Sequence, residues 1–581
     1  MKKNKSIFVI ILIFLSITNI LSLHSQHKVK AIHKYNIAAN TKYVYPKDTL
    51  VAQKLHWWQG LKFGLMMHWG IYSVNNLTES WTLCNEDYEW NLRIGPHGNN
   101  YYDYRLWYQN AQTQFNPVLF NPNKWVNAAQ NAGMRYVVFT TKHHDGFCMF
   151  NTNSTDYCVT NPKTPFSQDP RANIALEVFN AFRNQGFGIG AYFSKPDWHS
   201  NYYWWEYFAT PDRNVNYSIT KYPQRWNNFK SYTFTQLDEI TKNFGRMDIL
   251  WLDGSWVNPG NNGQDINMSQ IVSNARQNQP GMLVVNRGCG DFEDYRTPEQ
   301  EIPETPPNYP WETCMTMGNW WSGIPGDNFK SANTLIHNLI EIVSKGGNYL
   351  LNIGVNGQGD WDTAAYNRLS QIADWMNIND SAIYNTKPVY PYKESNMCFT
   401  QKGDTNFVLY LVSDTQTVMP SIIKWKSLIP MSGKQIYLLG YNQPLNWQMD
   451  GNGYVNVYIP IQLQYNPPCK HAYVFRFDEN VLYAPVIGDF SIPVEFKLYS
   501  NYPNPFNPKT EITFDVPKSE RISITIFDVT GKEVTKLINN EYKVAGKYVI
   551  AFDGTNLTSG TYFCKMDAGN FSATTKMALI K

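Results

Sequence analysis

The chain has 581 residues, with 50 Lys and Arg against 47 Asp and Glu and a formal net charge of +3. A chain of this length exceeds one ordinary hydrophobic core, so we expect a large domain accompanied by smaller ones. The net charge is too small for the chain's size to indicate a polyanionic partner, which argues against a nucleic-acid ligand. The eight cysteines are scattered without a zinc-finger spacing, so we predict free thiols or incidental pairs.

The N-terminus has the pattern of an export signal. A basic start precedes an apolar run from Ile7 to about Ile17, and small and polar residues follow. This order is typical of a secretory signal peptide, which we place at residues 1–25. An uncleaved membrane anchor is the alternative, but the apolar run falls short of the roughly 20 residues that span a bilayer. No later segment could span a bilayer either, so we predict no membrane span in the mature chain.

Residues 50–387 alternate helical patterns with short apolar strands. The predicted strands cover residues 135–141, 188–193, 247–252, 282–285 and 348–353, each after a helical pattern that ends in Gly. Short strands alternating with helices over this length favour the α/β class and a (β/α)₈-type, TIM-like barrel. In such a barrel the chemistry gathers at the C-terminal ends of the strands, where this sequence places its unusual polar clusters.

The remainder of the chain is rich in strand patterns. Residues 388–478 contain apolar and β-branched stretches separated by turn residues, and they predict a β-sandwich domain. A further β domain, Ig-like in pattern, is placed at 492–581. Its Pro- and Asn-rich head at 500–510 cannot continue a central strand and is expected to be an extended lead-in.

One carboxylate has a position that indicates chemistry. Asp253 follows the apolar strand 247–252 directly, where a role in the core is implausible. Glycoside hydrolysis requires two carboxyl groups that flank the anomeric carbon, and Asp253 is a candidate for one of them. The neighbouring Trp251 could form a wall for a sugar ring, since the CH face of a sugar packs on aromatic rings. The alternative for Asp253 is a turn-forming role before Gly254.

The second carboxyl group has several candidates. The loop that follows the strand at 282–285 carries four acids before Glu301. They are Asp291, Glu293, Asp294 and Glu299. Sequence spacing alone does not choose among them.

A cluster of histidines invites a metal interpretation. His143 and His144 stand beside Asp145, and His68 lies in an earlier HWG motif. Imidazoles and carboxylates bind zinc in hydrolases, so a metal-dependent barrel hydrolase that uses these histidines is an alternative. Adjacent residues at a strand end point to opposite sides, however, so both imidazoles rarely reach one ion. We therefore expect no metal and no other cofactor, and we interpret these histidines as hydrogen-bonding partners of sugar hydroxyls.

Five motifs together resemble glycoside hydrolase family 29, the α-L-fucosidases. The resemblance covers roughly residues 50–390 in one consistent order, and the KHHDGF stretch is highly specific. The motifs are KFGLMMHWGIYS at 62–73, YVVFTTKHHDGFCMF at 136–150, LWLDG at 250–254, VVNRG at 284–288 and VSKGGNYLLNIG at 343–354.

The resemblance implies a retaining double displacement on terminal α-linked L-fucose of an oligosaccharide or glycoconjugate. It places the catalytic nucleophile on Asp253. It places the general acid/base on Glu299, through the match of the ThrProGlu sequence at 297–299. The sugar-contacting positions that carry over from the family are His68, His143, His144, Tyr192, Trp251 and Arg287.

One sugar contact of the family has two possible counterparts. The family has a Glu-Trp pair after the HWG loop, and either Glu79 with Trp81 or Glu89 with Trp90 could supply it. We favour the first pair. A further alternative to an enzyme is a catalytically silent fucose-binding protein on a bacterial surface, which the intact Asp253 argues against.

The tail resembles the C-terminal sorting domain of bacterial type IX secretion. The similar stretches are LYSNYPNPFNPKTEITF at 498–514 and SGTYFCKM at 559–566. This resemblance implies an interaction with the secretion machinery and export across an outer membrane, so we expect a secreted or cell-surface protein. A generic Ig-like module of the same pattern is the alternative.

Overall fold

The computed structural model describes residues 43–84, 86, 93, 95–210, 212–287, 292–431, 433–478, 495–517, 520–543 and 546–581. The signal peptide predicted at 1–25, the Glu89–Trp90 pair and Asp291 lie outside these residues. The chain divides into two compact units, of which the first comprises the described part of Met1–Ile302 together with Pro310–Ile342 and Gly347–Asn377. The second comprises Pro303–Tyr309, Val343–Gly346 and the described part of Ile378–Lys581. The domain boundaries set from the sequence stay predictions.

The first unit is built on a parallel sheet of seven strands in the order β5-β4-β3-β2-β1-β7-β6. Every neighbouring pair is parallel, and most of the strand residues are buried because the barrel interior lies on one face and helices on the other. The strands are β1 Phe63–Met67, β2 Tyr136–Lys142, β3 Gly188–Ser194, β4 Ile249–Asp253, β5 Leu283–Val285, β6 Glu312–Thr316 and β7 Asn348–Asn352.

Helices connect these strands, and several of them begin after a residue whose side chain caps the first turn. Asp48, Asn100 and Asn121 each accept backbone N–H groups of the first helical turn that follows, which satisfies donors without a helical partner. No helix in the described residues is long and apolar enough to cross a membrane. The helices of this unit are α1 Thr49–Leu61, α2 Tyr101–Asn110, α3 Pro122–Asn131, α4 Ile174–Asn184, α5 Pro223–Asn243, α6 Met268–Asn278, α7 Ala332–Ser344 and α8 Thr363–Asn379.

The position between β5 and β6 is filled by an irregular segment. The backbone N–H of Asp294 donates to the carbonyl of Val284 in β5 at 2.9 Å. Further along, Arg296 and Glu299 form parallel bridges with Trp311 and Cys314 at β6. The segment therefore occupies the place of an eighth strand, and it brings Glu299 to the same end of the sheet as Asp253.

The side chains of alternate strand residues fill the interior of the barrel. The cluster includes Tyr136, Tyr192 and Trp251, together with shorter apolar side chains from the remaining strands. Gly64 makes room for this packing, since a Cβ atom there would lie 2.3 Å from the ring of Tyr136. The expected α/β class with a TIM-like barrel is confirmed. Helix α5 begins at Pro223, whose fixed φ suits the first helical turn.

The second unit contains antiparallel sheets. Eight strands form one sheet in the order β11-β14-β13-β12-β15-β10-β9-β8. These strands are β8 Lys387–Glu394, β9 Met397–Lys402, β10 Thr405–Leu411, β11 Ile422–Trp425, β12 Ile436–Leu438, β13 Pro444–Met449, β14 Val455–Tyr458 and β15 Ala472–Asp478, with the short helix α9 Ile461–Tyr465 before β15.

The C-terminal residues form two further antiparallel sheets with a shared core. Strands β16 Lys497–Leu498, β17 Lys509–Val516 and β20 Gly546–Asp553 make the first sheet. The second sheet, in the order β19-β18-β21-β22, consists of β18 Glu520–Asp528, β19 Glu533–Lys543, β21 Gly560–Ala568 and β22 Phe571–Leu579. Residues of both sheets pack in one hydrophobic cluster, among them Phe514 and Ile526. The predicted β domains after the barrel are therefore present.

Candidate active site

The predicted site residues gather at the C-terminal ends of the parallel strands. Because these ends meet at one edge of the sheet, residues far apart in sequence become neighbours. His68 follows β1, the two adjacent histidines follow β2, and Asp253 closes β4. Rings of His68 and Tyr192 lie 5.3 Å apart, and the Nε2 atom of His144 lies 3.9 Å from Asp253 Oδ2.

Asp253 is a partly buried carboxylate surrounded by groups that stabilise its charge. The Tyr192 hydroxyl donates to Oδ2 at 2.6 Å, and the Arg287 Nη1 atom lies 3.6 Å from Oδ1. Burial by itself would raise the pKa of Asp253, but Arg287, His144 and the Tyr192 hydrogen bond together lower it to about 2. Its side chain is 19% exposed, so an ionised oxygen is open to a ligand.

Arg287 links the two predicted catalytic carboxyl groups. Its Nη1 faces Asp253, while its Nη2 donates to Glu299 Oε2. The guanidinium also lies over the Trp251 ring, 5.0 Å from the ring centre. Its backbone φ of 30° is uncommon for a residue with a side chain, and such strain is typical of functional sites.

The structure distinguishes among the acids of the loop after β5. Asp294 is bonded to Arg276 at 2.7 and 2.9 Å and accepts the backbone N–H of Val284, so its role is to hold the segment in place. Glu293 lies 3.7 Å from Arg296. Among the described candidates, Glu299 is the one that shares a cation with Asp253.

The three histidines of the site are buried and uncharged at neutral pH. Burial lowers the pKa of His68 to about 4 and that of His144 to about 3, and it lowers the pKa of His143 well below its usual value. His68 Nδ1 donates to Asn352 Oδ1 at 2.8 Å, because the amide oxygen can only accept. The Nε2 atom of neutral His68 is consequently an acceptor for a ligand hydroxyl. His143 Nδ1 is hydrogen bonded to the Ser80 hydroxyl.

The favoured Glu-Trp pair lies in the site. Both residues belong to the short 3₁₀ helix Glu79–Leu83. Glu79 Oε1 accepts the backbone N–H of Ser322 at 2.8 Å, and burial raises the pKa of Glu79 to about 7. The Trp81 ring lies 5.2 Å from the His144 ring.

An aromatic wall beside His144 was missed by the sequence reasoning. The ring of Trp256 lies 5.1 Å from His144 and 5.7 Å from Trp81. The guanidinium of Arg213 lies over both tryptophan rings, at 5.1 and 5.3 Å. Trp256 ends the DGSW sequence that begins with Asp253. Its position shortly after a predicted strand end was the signal by which the sequence could have identified it. Arg213 lies in a long loop, where the sequence offered no signal of a functional position.

Other predicted residues prove to be deeply buried. Trp251 is 0% exposed and donates its Nε1–H to Glu312 at 3.1 Å, so its role as a direct sugar contact stays a prediction. Asp145 is also buried and accepts from the Tyr108 hydroxyl at 2.8 Å. Asn352, which orients His68, was missed although a polar residue at the end of an apolar strand was a usable signal.

Three side chains could hold a metal ion. Ligand atoms of His143, His144 and Asp253 lie within 4.8 Å of one another. His68, which the metal alternative required, is not in this group. Arg287 and the Tyr192 hydroxyl already contact Asp253, and a neighbouring guanidinium opposes the binding of a second cation.

A parallel barrel with two carboxyl groups at the C-terminal ends of its strands is the arrangement that a barrel-type glycoside hydrolase requires. The α-L-fucosidase family profile matches residues 30–381, which is more than half of the chain. The chain belongs to the α-L-fucosidase family. A secretion system C-terminal sorting domain matches residues 500–581, and such a domain indicates export.

Individual relatives agree with this assignment. The tissue α-L-fucosidase of Homo sapiens is 26% identical over 417 residues, covering 68% of this chain and 82% of the relative. The solved α-L-fucosidase isoenzyme 1 from Paenibacillus thiaminolyticus is 28% identical, with a TM-score of 0.61, and covers 74% of this chain and 99% of its own. A family 29 α-L-fucosidase from Bacteroides thetaiotaomicron, solved as a trapped covalent intermediate, shares the fold at 21% identity and a TM-score of 0.58, covering 76% of this chain and 98% of its own.

The neutral state of His68 predicts a loss of stability in acid. Above a pH of about 6.5 the imidazole is uncharged in both the folded and unfolded states, so it contributes no pH dependence. As the pH falls from about 6.5 to about 4, the unfolded imidazole binds a proton that the folded one does not. When this difference in protonation is complete, the free energy of unfolding is lower by about 3 kcal/mol. Calorimetry between pH 7 and 4 should therefore give a smaller loss of stability for His68→Gln than for the unchanged protein.

The exposed His56 supplies a matched control for this measurement. His56→Gln removes a histidine from the surface, and the loss of stability of His68→Gln between pH 7 and 4 should be smaller than that of this variant. Equal pH dependence of the unchanged protein and His68→Gln would contradict the assignment of a neutral, buried His68.

Proposed function

We propose that the protein is a secreted, exo-acting α-L-fucosidase that removes terminal α-linked L-fucose from glycans with retention of anomeric configuration. The observation that carries this proposal is the single guanidinium of Arg287 between Asp253 and Glu299. Retaining glycosidases need two carboxyl groups about 5–5.5 Å apart, and inverting enzymes need a wider gap for water. A shared guanidinium holds the two carboxyl groups on one side of the site, and the retaining mechanism is what the family resemblance implies.

In the first step, Asp253 acts as the nucleophile. An Asp253 oxygen attacks the anomeric carbon, the bond to the leaving oxygen breaks, and Glu299 gives its proton to that oxygen. Asp253 suits this role because its pKa of about 2 keeps it ionised throughout the range in which a hydrolase works. Glu299 contacts Arg287 here, so protonation of the leaving group requires its carboxyl group to turn toward the glycosidic oxygen.

In the second step, water releases the sugar. Glu299, now ionised, takes a proton from the water while the water oxygen attacks the anomeric carbon and the bond to Asp253 breaks. Two inversions at the same carbon give net retention. The covalent intermediate trapped in the Bacteroides thetaiotaomicron enzyme supports this route for the family.

The polar groups around Asp253 suit a neutral sugar. His68 offers an acceptor at Nε2, and Glu79, His143 and His144 supply further hydrogen-bonding groups at the same strand ends. Trp81 offers a ring face to the sugar. The deep burial of these groups strengthens their hydrogen bonds, because little water competes for them.

Hydrolysis of an aryl α-L-fucoside tests this proposal, with the anomer of the first product followed by NMR. We expect the unchanged protein to release α-L-fucose first, and Asp253→Ala to have no detectable activity because no nucleophile remains. Glu299→Ala should lose roughly 100- to 10,000-fold on a poor leaving group. On a fucoside with a good leaving group, whose departure needs no general acid, azide should restore part of the rate, because a small anion can attack the intermediate without a general base.

The exposed Glu301 provides the matched control, and Glu301→Ala should keep the full rate. Release of β-L-fucose first would contradict retention, and full activity of Asp253→Ala would contradict its role as nucleophile. Inactivity on every fucoside, together with fucose binding, would favour the silent binding protein. Loss of activity on chelation, reversed by added zinc, would favour the metal hydrolase.

We further propose that the protein leaves the cell through type IX secretion, directed by the signal peptide at 1–25 and the domain at 492–581. The match of the sorting domain to residues 500–581 supports the second part of this route. Its two-sheet fold has a core of its own, which suits a domain recognised by a secretion apparatus.

Expression in a bacterium that has type IX secretion tests the export route. The full chain should place fucosidase activity on the cell surface or in the medium. A chain ending before residue 500 should retain its activity in the periplasm, because it lacks the sorting domain. As a control, residues 492–581 fused to a periplasmic reporter should export that reporter. Export of the truncated chain at the level of the full chain would contradict the proposal.

A further inference from the structure

A third acid lies inside the barrel, beneath the catalytic pair. Glu312 begins β6, and its side chain is 0% exposed. Its Oε2 atom is hydrogen bonded to the Tyr136 hydroxyl at 2.6 Å, and its Oε1 atom accepts the Trp251 Nε1–H at 3.1 Å. A buried acid costs free energy unless hydrogen bonds or a charged partner replace the hydration that it loses.

The surroundings of Glu312 are almost entirely uncharged. Tyr136 from β2, Trp251 from β4 and Tyr295 from the irregular segment pack in the same cluster, and Cys314 lies two residues along its own strand. Arg287 is the cation whose charge it feels. Burial raises the pKa of Glu312 to about 7, against the opposing effects of Tyr136, Trp251 and Arg287. The group is therefore a neutral acid at mildly acidic pH.

The hydrogen bond from Trp251 connects Glu312 to the nucleophile. The Trp251 ring stacks on Tyr192, with ring centres 5.3 Å apart and planes at 22°. The same ring lies under the Arg287 guanidinium at 5.0 Å. Tyr192 and Arg287 are two of the side chains that hold Asp253 ionised, together with His144. The Trp251 indole is therefore a platform on which Tyr192 and Arg287 rest. Its Nε1–H, the one polar group of the ring, is hydrogen bonded to Glu312.

We propose that Glu312 is a positioning residue for the fucosidase reaction: it fixes the Trp251 indole and thereby keeps Tyr192 and Arg287 in contact with Asp253. The inference rests on the proposed function, since it assigns Asp253 the role of nucleophile. Glu312 itself touches neither the sugar nor the reacting atoms. Glu312 affects the reaction only through the position of the Trp251 ring, on which Tyr192 and Arg287 rest.

The test is the pH dependence of kcat/KM on an aryl α-L-fucoside for Glu312→Leu. Leucine leaves the Trp251 Nε1–H without an acceptor, so the indole and the two side chains that rest on it shift. We expect kcat/KM to fall by about 100-fold, as misplacement of catalytic groups by about 1 Å can cause. The acid limb of the profile should move up toward the ordinary aspartate pKa of about 3.9, because Asp253 loses its stabilising neighbours.

Glu312→Gln should rescue both properties. Its amide oxygen can accept from Trp251, and its NH₂ group can keep a hydrogen bond to the Tyr136 oxygen, with the amide now as the donor. We therefore expect kcat/KM within a few-fold of the unchanged protein at mildly acidic pH, with the acid limb in its original place. If Glu312→Leu does not fold, Trp251→Phe removes the same hydrogen bond from the other side and should move the acid limb in the same direction.

Asp248 provides a matched control. It is a buried acid just before β4, bonded to Lys54 at 2.6 Å and to the backbone N–H of Ile189 at 3.0 Å. Asp248→Asn should lower stability and leave the acid limb unchanged. An unmoved acid limb in Glu312→Leu or Trp251→Phe, or a Glu312→Gln variant as impaired as Glu312→Leu, would overturn the positioning role. An unchanged protein without fucosidase activity would instead overturn the proposed function, so the two failures are distinguishable.

Discussion

The arrangement of the site depends on one interaction, the contact of the Arg287 guanidinium with Asp253 and Glu299. Two carboxyl groups in a partly buried site repel each other whenever both are ionised, and they lose part of the hydration that stabilises them in water. A guanidinium has N–H groups on several edges, so it can serve both carboxylates at once. The unusual backbone of Arg287, with φ at 30°, is the conformational cost of placing this cation between them.

Burial explains how the remaining groups of the site work. The same exclusion of water that raises the pKa of Glu79 to about 7 lowers the pKa of His68 to about 4. The site therefore presents uncharged imidazoles and a carboxyl group that is neutral in mild acid around one strongly ionised aspartate. This contrast suits a reaction in which a neutral sugar meets a single anionic nucleophile.

The sequence predicted the fold and much of the site because both depend on strand ends. An apolar run followed by a polar residue marks a position such as Asp253, and the family motifs identify the residues that follow β1, β2 and β5. The irregular segment beside β6 was not predictable, since it pairs through isolated bridges without a strand pattern. The choice of Glu299 over Asp294 therefore needed either the family motif or the Arg276 contact seen in the structure.

Residues that act through others left little trace in the sequence. Glu312 begins a short strand, and nothing in the sequence distinguishes it from an exposed acid. Its burial inside the barrel is seen only in the structure. Arg213 reaches Trp81 and Trp256 from a loop whose path no periodicity specifies. Such residues depend on tertiary packing, which brings together side chains from strands and loops that are distant in the chain.

The most direct test of the account is covalent labelling with 2-fluoro-fucosyl fluoride, followed by digestion and mass spectrometry of the peptides. The 2-fluoro substituent slows both displacement steps, and the reactive fluoride leaving group lets the first step outrun the second, so the fucosyl-enzyme accumulates. The account predicts one fucosyl adduct, located on Asp253 and released slowly as the enzyme turns over. Labelling of a different carboxylate, or hydrolysis of fucosides without any adduct, would contradict the central claim that Asp253 is the nucleophile of a retaining reaction.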